Sequence, residues 1–391
     1  MLENLTQQPP DALLALIKLY DADSRADKID LGVGVYRTDD GATPVFASIK
    51  AAERKLVEEQ DSKAYLGPEG DMGFVHALMP YIFGSDPTMG GRIEGMQTPG
   101  GTGAVRITLA LAKHAGVGTV LMGTPSWPNH AQILKDLGME MKGFNHAASD
   151  GSADMDALRT ALKSAAKGDA VLLHGCCHNP TGIDYTDAQW DEIAALLAET
   201  GVLPILDLAY QGLGLGMEAD AYGARKVLAS VPEALVAYSC DKNFGLYRDR
   251  VGAAYAMAAD PSLVGAIMSN GHALARANWS MPPDHGASAV RLILRDQEMT
   301  KLWLDELDDM RARMRQVRDR LGAAGKVGTL DLAPCGTQNG LFSMLALTPE
   351  QILKLREDHG IYMAGSGRIN IAGLTMGNID KFIGALAAVT A

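Results

Sequence analysis

A basic surface is the first thing this sequence lacks. Against 47 aspartates and glutamates stand 35 lysines and arginines, and the 391-residue chain carries a formal net charge of −12. Nucleic-acid binding draws on clustered positive charge, so that class of partner is not expected. Cysteine is scarce too. The four are Cys176, Cys177, Cys240 and Cys335, with no CxxC and no spacing of a disulfide framework. A reducing cytoplasm is the expected setting. No run approaches the roughly 18 apolar residues of a membrane span. The first twenty residues, MLENLTQQPPDALLALIKLY, lack the basic stretch and small-residue cleavage site of a signal peptide. Repeats and low-complexity tracts are absent.

What the chain does have is alternation. Leu13, Leu16, Ile17 and Tyr20 fall on one helical face. Ala153 to Lys167 reads as a helix leading into the apolar run AVLLHG, Ala170 to Gly175. Thr186 and Gln189 are spaced as a capping box, and Gly201 stops the helix they open. The strands VLPILDLAY and ALVAYS follow, with another helix between them. Continuous apolar strands separated by helices imply a parallel sheet covered on both faces. The fold class is therefore α/β, with a large doubly wound domain. A long charged helix from about Glu298 leads out toward a smaller α+β unit.

In such sheets ligands sit beyond the carboxyl ends of the strands. Four stretches occupy those ends. In TPGGTGAVR, glycines before a helix let the backbone approach a phosphate, and the helix N-terminus offers free N–H groups. The plain alternative is a turn with its cap at Thr102. HGCCHNPTG, His174 to Gly182, mixes histidine and cysteine, but side chains alternate faces along a strand, so all four do not converge on one ion. No metal is expected, and Asn179 stands at that strand's mouth. In DLAY, Asp207 directly after an apolar strand needs a cationic or hydrogen-bonding partner. Its alternatives are a helix cap or a structural ion pair. Tyr210 offers a phenol to the same space. In YSCDKNFGLYRDR, Ser239 and Arg250 flank Lys242. A lysine in a cationic, partly desolvated pocket falls from its usual value near ~10.4 and becomes a nucleophile. The four stretches together suit a ligand with a phosphate, a cationic ring group, a ring oxygen and a carbonyl. Pyridoxal 5′-phosphate has all of them.

With these residues in view, the chain resembles the fold-type I, class I pyridoxal-phosphate aminotransferases that act on aspartate and aromatic amino acids. The likeness runs through LGVGVYR, YLGPEG, TPGGTGA, PSWPNH, HGCCHNPTG, DLAYQG, KNFGLY, RANWSMPPDHGA and SGRINIAG. The resemblance implies that Lys242 forms the Schiff base and transfers the proton. Asp207 would pair with the ring nitrogen, supported by His174. Trp127 would stack on the ring, while Asn179 and Tyr210 would bond its oxygen. Gly101, Thr102, Ser239 and Arg250 would take the phosphate, with Tyr65 reaching it from the second subunit of a homodimer. Arg368 would clamp the substrate's α-carboxylate. Arg276 would meet the distal carboxylate across the interface, and Gly34 would line the substrate site. A lone tryptophan or arginine is more often a core or surface residue, and the surrounding motifs are what single these out.

The resemblance also implies an arm at residues 1–10, a small domain from 11–44 and 309–391, and a large cofactor domain from 45–308. The reaction implied is ping-pong transamination of aromatic amino acids and aspartate with 2-oxoglutarate. A strict aspartate enzyme is the alternative, and a β-lyase is less favoured because Arg276 and Arg368 suit a dicarboxylate. A helix-turn-helix regulator is not expected, since the motifs begin by residue 31. Two departures stand out. Asp241 precedes the lysine where serine is more common, and the sequence leaves open whether its carboxylate turns in and raises the lysine pKa or points outward. Met281 and Ala64 are apolar where aspartate-selective relatives often carry polar groups, which suggests room for aromatic side chains.

Overall fold

The computed structural model describes residues 1–7 and 12–391, so residues 8–10 of the expected N-terminal arm lie outside the described residues. The chain divides into two compact units, Pro44–Arg313 and Met1–Thr43 with Met314–Ala391. Among the described residues no helix is long and apolar enough to cross a membrane.

The larger unit is built on a seven-stranded sheet. In chain order its strands are β1 (Ile93–Pro99), β2 (Thr119–Thr124), β3 (Glu140–Asn145), β4 (Ala170–His174), β5 (Leu203–Leu208), β6 (Ala234–Ser239) and β7 (Val251–Met257). Their spatial order is β1-β7-β6-β5-β4-β2-β3. All neighbours pair in parallel except β7, which runs antiparallel between β6 and β1. The apolar runs read from the sequence are these central strands, and β6 and β7 are buried along their whole length. Helices cover the sheet because a parallel strand must be reached by a crossover, and both faces then lose water. Helix α1 (Gly100–His114) packs Ile107 and Leu109 into a core with Val120, Leu172, Ile205 and Ala237. Each such aliphatic side chain contributes about 1.5–3 kcal/mol on burial.

Local signals place the boundaries. Thr186 and Gln189 form the capping box of helix Asp187–Thr200, and Gly201 ends it at φ 67° in the left-handed region. The helix expected from Ala153 to Lys167 is shorter, Met155–Ser164. Asp154 caps it by accepting from the Ala157 N–H, and Ala165 turns extended. The plain alternative, a cap at Thr102, is not what forms: Pro99 is the cap, and Thr102 lies inside the first turn of α1.

In the smaller unit, Ile29–Asp30 pairs in parallel with Ile361–Tyr362, and Phe342–Met344 pairs antiparallel with Arg368–Asn370. Helices Ala12–Ala22, Pro349–His359 and Ile379–Thr390 belong to it, as does the last part of the long charged helix Gln297–Ala323. Arg318, fully buried, donates to the carbonyls of Cys335, Asn339, Gly340 and Phe342.

Candidate active site

Sheet register gathers the site. His174 pairs with Asp207 at the ends of β4 and β5, and Ser239 at the end of β6 pairs with Gly252. Gly252 in turn faces Thr98 on β1. Because β7 alone is antiparallel, its start lies at the edge where its neighbours finish, and Arg250 is brought there. Asp207, Ser239, Lys242, Arg250 and the glycines of the first turn of α1 therefore meet at one edge, although they are far apart in sequence.

The anion cradle is a matter of missing side chains. Gly100 has φ +71°, and a Cβ built there would lie 2.4 Å from Arg250 Nη2. A Cβ on Gly101 would lie 2.7 Å from that of Ser239. Only glycine lets the first turn of α1 approach these side chains, with Thr102 next in the turn. Thr98 Oγ1 donates to the Gly100 carbonyl at 3.0 Å and holds the loop. Free N–H groups of a helix start, a hydroxyl and a guanidinium suit a phosphate-sized anion.

Lys242 is half-buried, and its Nζ stands 5.2 Å from the centre of the Tyr210 ring. Burial lowers its pKa, and Arg250 adds to that; Asp241 and Asp207 oppose it without reversing it. Asn179 Nδ2 donates to the Tyr210 hydroxyl at 3.5 Å, so the two residues expected to share one ligand oxygen are together. Trp127 precedes helix α2 (Pro128–Asp136) and packs edge-on against the His130 ring at 5.1 Å.

Asp207 is held by a residue the sequence reading missed. The direct hydrogen bond comes from His130, whose Nε2 lies 2.9 Å from Asp207 Oδ2, while His174 was expected to support Asp207 only indirectly. His130 is fully buried on the first turn of α2, and its ring reaches across the sheet end. His174 serves one step further back. The Asn179 N–H donates to its Nδ1 at 3.1 Å. Burial pushes His174 down to about 3, so the ring is neutral and its proton sits on Nε2. That nitrogen is 3.3 Å from Ser126 Oγ, which is 3.0 Å from His130 Nδ1. The donors then point one way, from Asn179 through His174, Ser126 and His130 to Asp207. Burial alone would raise the Asp207 carboxyl. The His130 hydrogen bond, with the Lys242 charge beside it, outweighs that cost, and the pKa is lowered. A buried carboxylate is thus kept ionised at a strand end.

The histidines and cysteines of HGCCHNPTG do separate. His174 groups with His130 and Asp207, while Cys176 and Cys177 group with Asp220. The Asp220 carboxylate is taken by the N–H groups of Gly212, Gly214 and Leu215.

Tyr65 is 94% exposed. Arg276 is exposed in the last turn of helix Val264–Asn278 and donates to Ser280 Oγ. In the smaller unit, Arg368 donates to the Gly32 carbonyl at 3.0 Å and lies 4.3 Å above the Phe342 ring. Gly34 abuts the same ring; a Cβ there would be 2.8 Å from Phe342 Cζ. Asp241, whose direction the sequence left open, points inward to an ion pair with Arg250.

Comparison with known proteins gives the same picture. The family profile described as "Aminotransferase class I and II" matches residues 26–386. The chain is 48% identical over 385 residues to a tyrosine aminotransferase of Rhizobium meliloti (strain 1021), covering 98% of this chain and 99% of that one. It is 44% identical over 395 residues to an aspartate aminotransferase of Escherichia coli (strain K12), covering all of both. A crystal structure of an aromatic-amino-acid aminotransferase from Burkholderia pseudomallei, covalently bound to pyridoxal phosphate, matches with TM-score 0.95 at 34% identity over the full length of both chains.

Proposed function

Because the chain belongs to the class I and II aminotransferases, we propose that it moves the amino group of aromatic amino acids and of aspartate to 2-oxoglutarate, using pyridoxal 5′-phosphate held at Lys242. The observation that carries this reading is the single sheet edge. It holds an ionised buried carboxylate, a lysine amine of lowered pKa and a glycine–serine–arginine cradle together. When bound, the cofactor supplies an electron sink for charge developing at the substrate's α-carbon.

The chain's own residues supply the rest. Asp207, ionised against its burial, would hold the cofactor's ring nitrogen and favour a proton there. The hydrogen-bonded run through His130, Ser126 and His174 fixes that carboxylate's orientation. Lys242 would hold the cofactor through its carbonyl group, and its free amine would serve as the general base that moves the α-proton. Its lowered pKa raises the share of free amine above that of an exposed lysine. Asn179 and Tyr210 would bind the ring oxygen, and Trp127 would cover a ring face. Gly101, Thr102, Ser239 and Arg250 would take the phosphate. Arg368 takes the α-carboxylate as a bidentate fork, its plane set by Phe342 and the Gly32 carbonyl, with Gly34 beside it.

Tyr65 and Arg276 are functional residues left exposed on one chain. We assign both to the active site of a second copy, which makes the working unit a homodimer; sedimentation as a monomer at assay concentration would refute it. The four cysteines are free and buried, which suits a cytoplasmic enzyme. Apolar Met281 and Ala64 and the mixture of tyrosine, aromatic and aspartate aminotransferases among the relatives support the broad substrate range over a strict aspartate enzyme. The test is kcat/KM for phenylalanine, tyrosine and aspartate with 2-oxoglutarate. The proposal expects all three within about 100-fold of one another, a spread of under ~3 kcal/mol in transition-state binding. Turnover of aspartate alone would reduce the enzyme to the narrow alternative.

A further inference from the structure

The anion cradle already contains an anion. Asp241 is only 2% exposed. Its Oδ2 is ion-paired to Arg250 Nη1, its Oδ1 accepts from the Val251 N–H at 3.1 Å, and its own N–H donates to Ser239 Oγ at 3.2 Å. A Cβ on Gly100 would lie 2.4 Å from Arg250 Nη2 and 2.9 Å from Asp241 Oδ2, so carboxylate, guanidinium and the start of α1 converge on one point. Every other element there is built for negative charge from outside. Asp241 neutralises the one full positive charge of that set from within. Burial raises its carboxyl pKa, opposed by Lys242 and Arg250, which reflects how poorly hydrated the group is.

Resting on the cofactor assignment above, we propose that Asp241 is a resident counter-anion for Arg250: it stabilises the cofactor-free chain and weakens the hold on the cofactor's phosphate. Two charges of like sign a few ångströms apart in a partly desolvated cradle repel strongly. Arg250 does not depend on Asp241 alone for its position. Its Nη1 also donates to the Tyr247 carbonyl at 3.1 Å, and the guanidinium lies against Gly100. Removing the carboxylate's charge therefore strips repulsion from the phosphate while leaving the guanidinium near its place. Asp241 is a positioning and affinity-setting residue that touches none of the reacting atoms.

Asp241→Asn keeps the shape and the acceptor for Val251 but removes the charge. Cofactor-free wild type and variant are titrated, by absorbance, with pyridoxal 5′-phosphate and with pyridoxal, which lacks the phosphate. Any effect transmitted through Lys242 reaches both ligands alike, so the ratio of the two affinities isolates the phosphate. That ratio should rise about tenfold or more in the variant, and the cofactor-free variant should melt at a lower temperature than cofactor-free wild type. A ratio that is unchanged or falls overturns the proposal. Wild type that binds neither ligand would overturn the cofactor assignment itself, a distinct outcome. If Asp241→Asn does not accumulate as folded protein, Asp241→Ser is titrated in the same way and judged by the same ratio.

Discussion

At the scale of the residue, function here rests on groups held in states they would not choose in water. Asp207 stays ionised while buried because His130 donates to it at 2.9 Å. A hydrogen bond to a charged group is worth about 1.5–3 kcal/mol. His130→Ala should therefore lower kcat/KM by about 10- to 100-fold. His174→Ala, one link further back, should cost less. Steady-state kinetics of the two variants checks this, and a larger loss in the His174 variant would show that the orienting chain has been read in the wrong direction. Most of these residues were legible in the sequence, because Lys242, Asp207, Asn179 and Arg250 each stand beside an apolar strand or a turn. His130 was not. It sits within PSWPNH in plain view, but its partner lies on a distant strand, and no spacing along the chain announces a contact made across the sheet. Asp241 was visible as an oddity, yet its direction depends on β7 being antiparallel, since that is what brings Arg250 back to it.

At the scale of the element, the central device is a helix start laid against two strand ends. The glycines of α1 act by leaving room. Gly101→Ala would place a Cβ 2.7 Å from that of Ser239, and neither backbone can give way without disturbing the cradle. Overpacking of this kind costs about 1–3 kcal/mol. The variant should bind pyridoxal phosphate more weakly and unfold more easily. Gly118→Ala, whose methyl would meet nothing within 4 Å, should stay within about 0.5 kcal/mol of wild type. Chemical denaturation and cofactor titration of the pair check both statements; equal effects would mean that close approach at Gly101 is unimportant. Element boundaries followed local chemistry where that chemistry was strong. The Thr186–Gln189 capping box and Gly201 came through as read. The helix after Ala153 was overextended because apolar periodicity continues past the point where Ala165 turns extended. Pro99, rather than Thr102, became the cap of α1, because the strand runs directly into the helix with no turn between.

At the scale of the whole molecule, buried histidines at and beside the site make the fold sensitive to acid. Burial lowers His146 to about 4 and His174 to about 3. His178 is stacked on both and is also lowered by burial. Both of the first two are neutral in the folded chain at pH 5, while the unfolded chain protonates them near ~6.5. The unfolded state thus binds more protons between about pH 6.5 and the folded values, and stability must fall as pH falls through that window. At pH 5 the loss is about 2 kcal/mol for each of the two. Denaturant unfolding at pH 7 and pH 5 measures it, and equal or greater stability at pH 5 would contradict the neutral assignment. The larger architecture, a mostly parallel sheet with an α+β companion, was readable because apolar strands alternate with capped helices throughout the middle of the chain.

The central claim is that one lysine serves donors of two kinds. The most direct measurement follows the absorbance of the purified enzyme loaded with pyridoxal phosphate while aspartate, and in a separate sample phenylalanine, is added without any oxo acid. Both donors should convert the cofactor from its aldehyde-form band to its amine-form band, and Lys242→Ala should give neither conversion at a catalytic rate. Conversion that persists at full rate in Lys242→Ala, or that fails with either donor in wild type, would contradict the account.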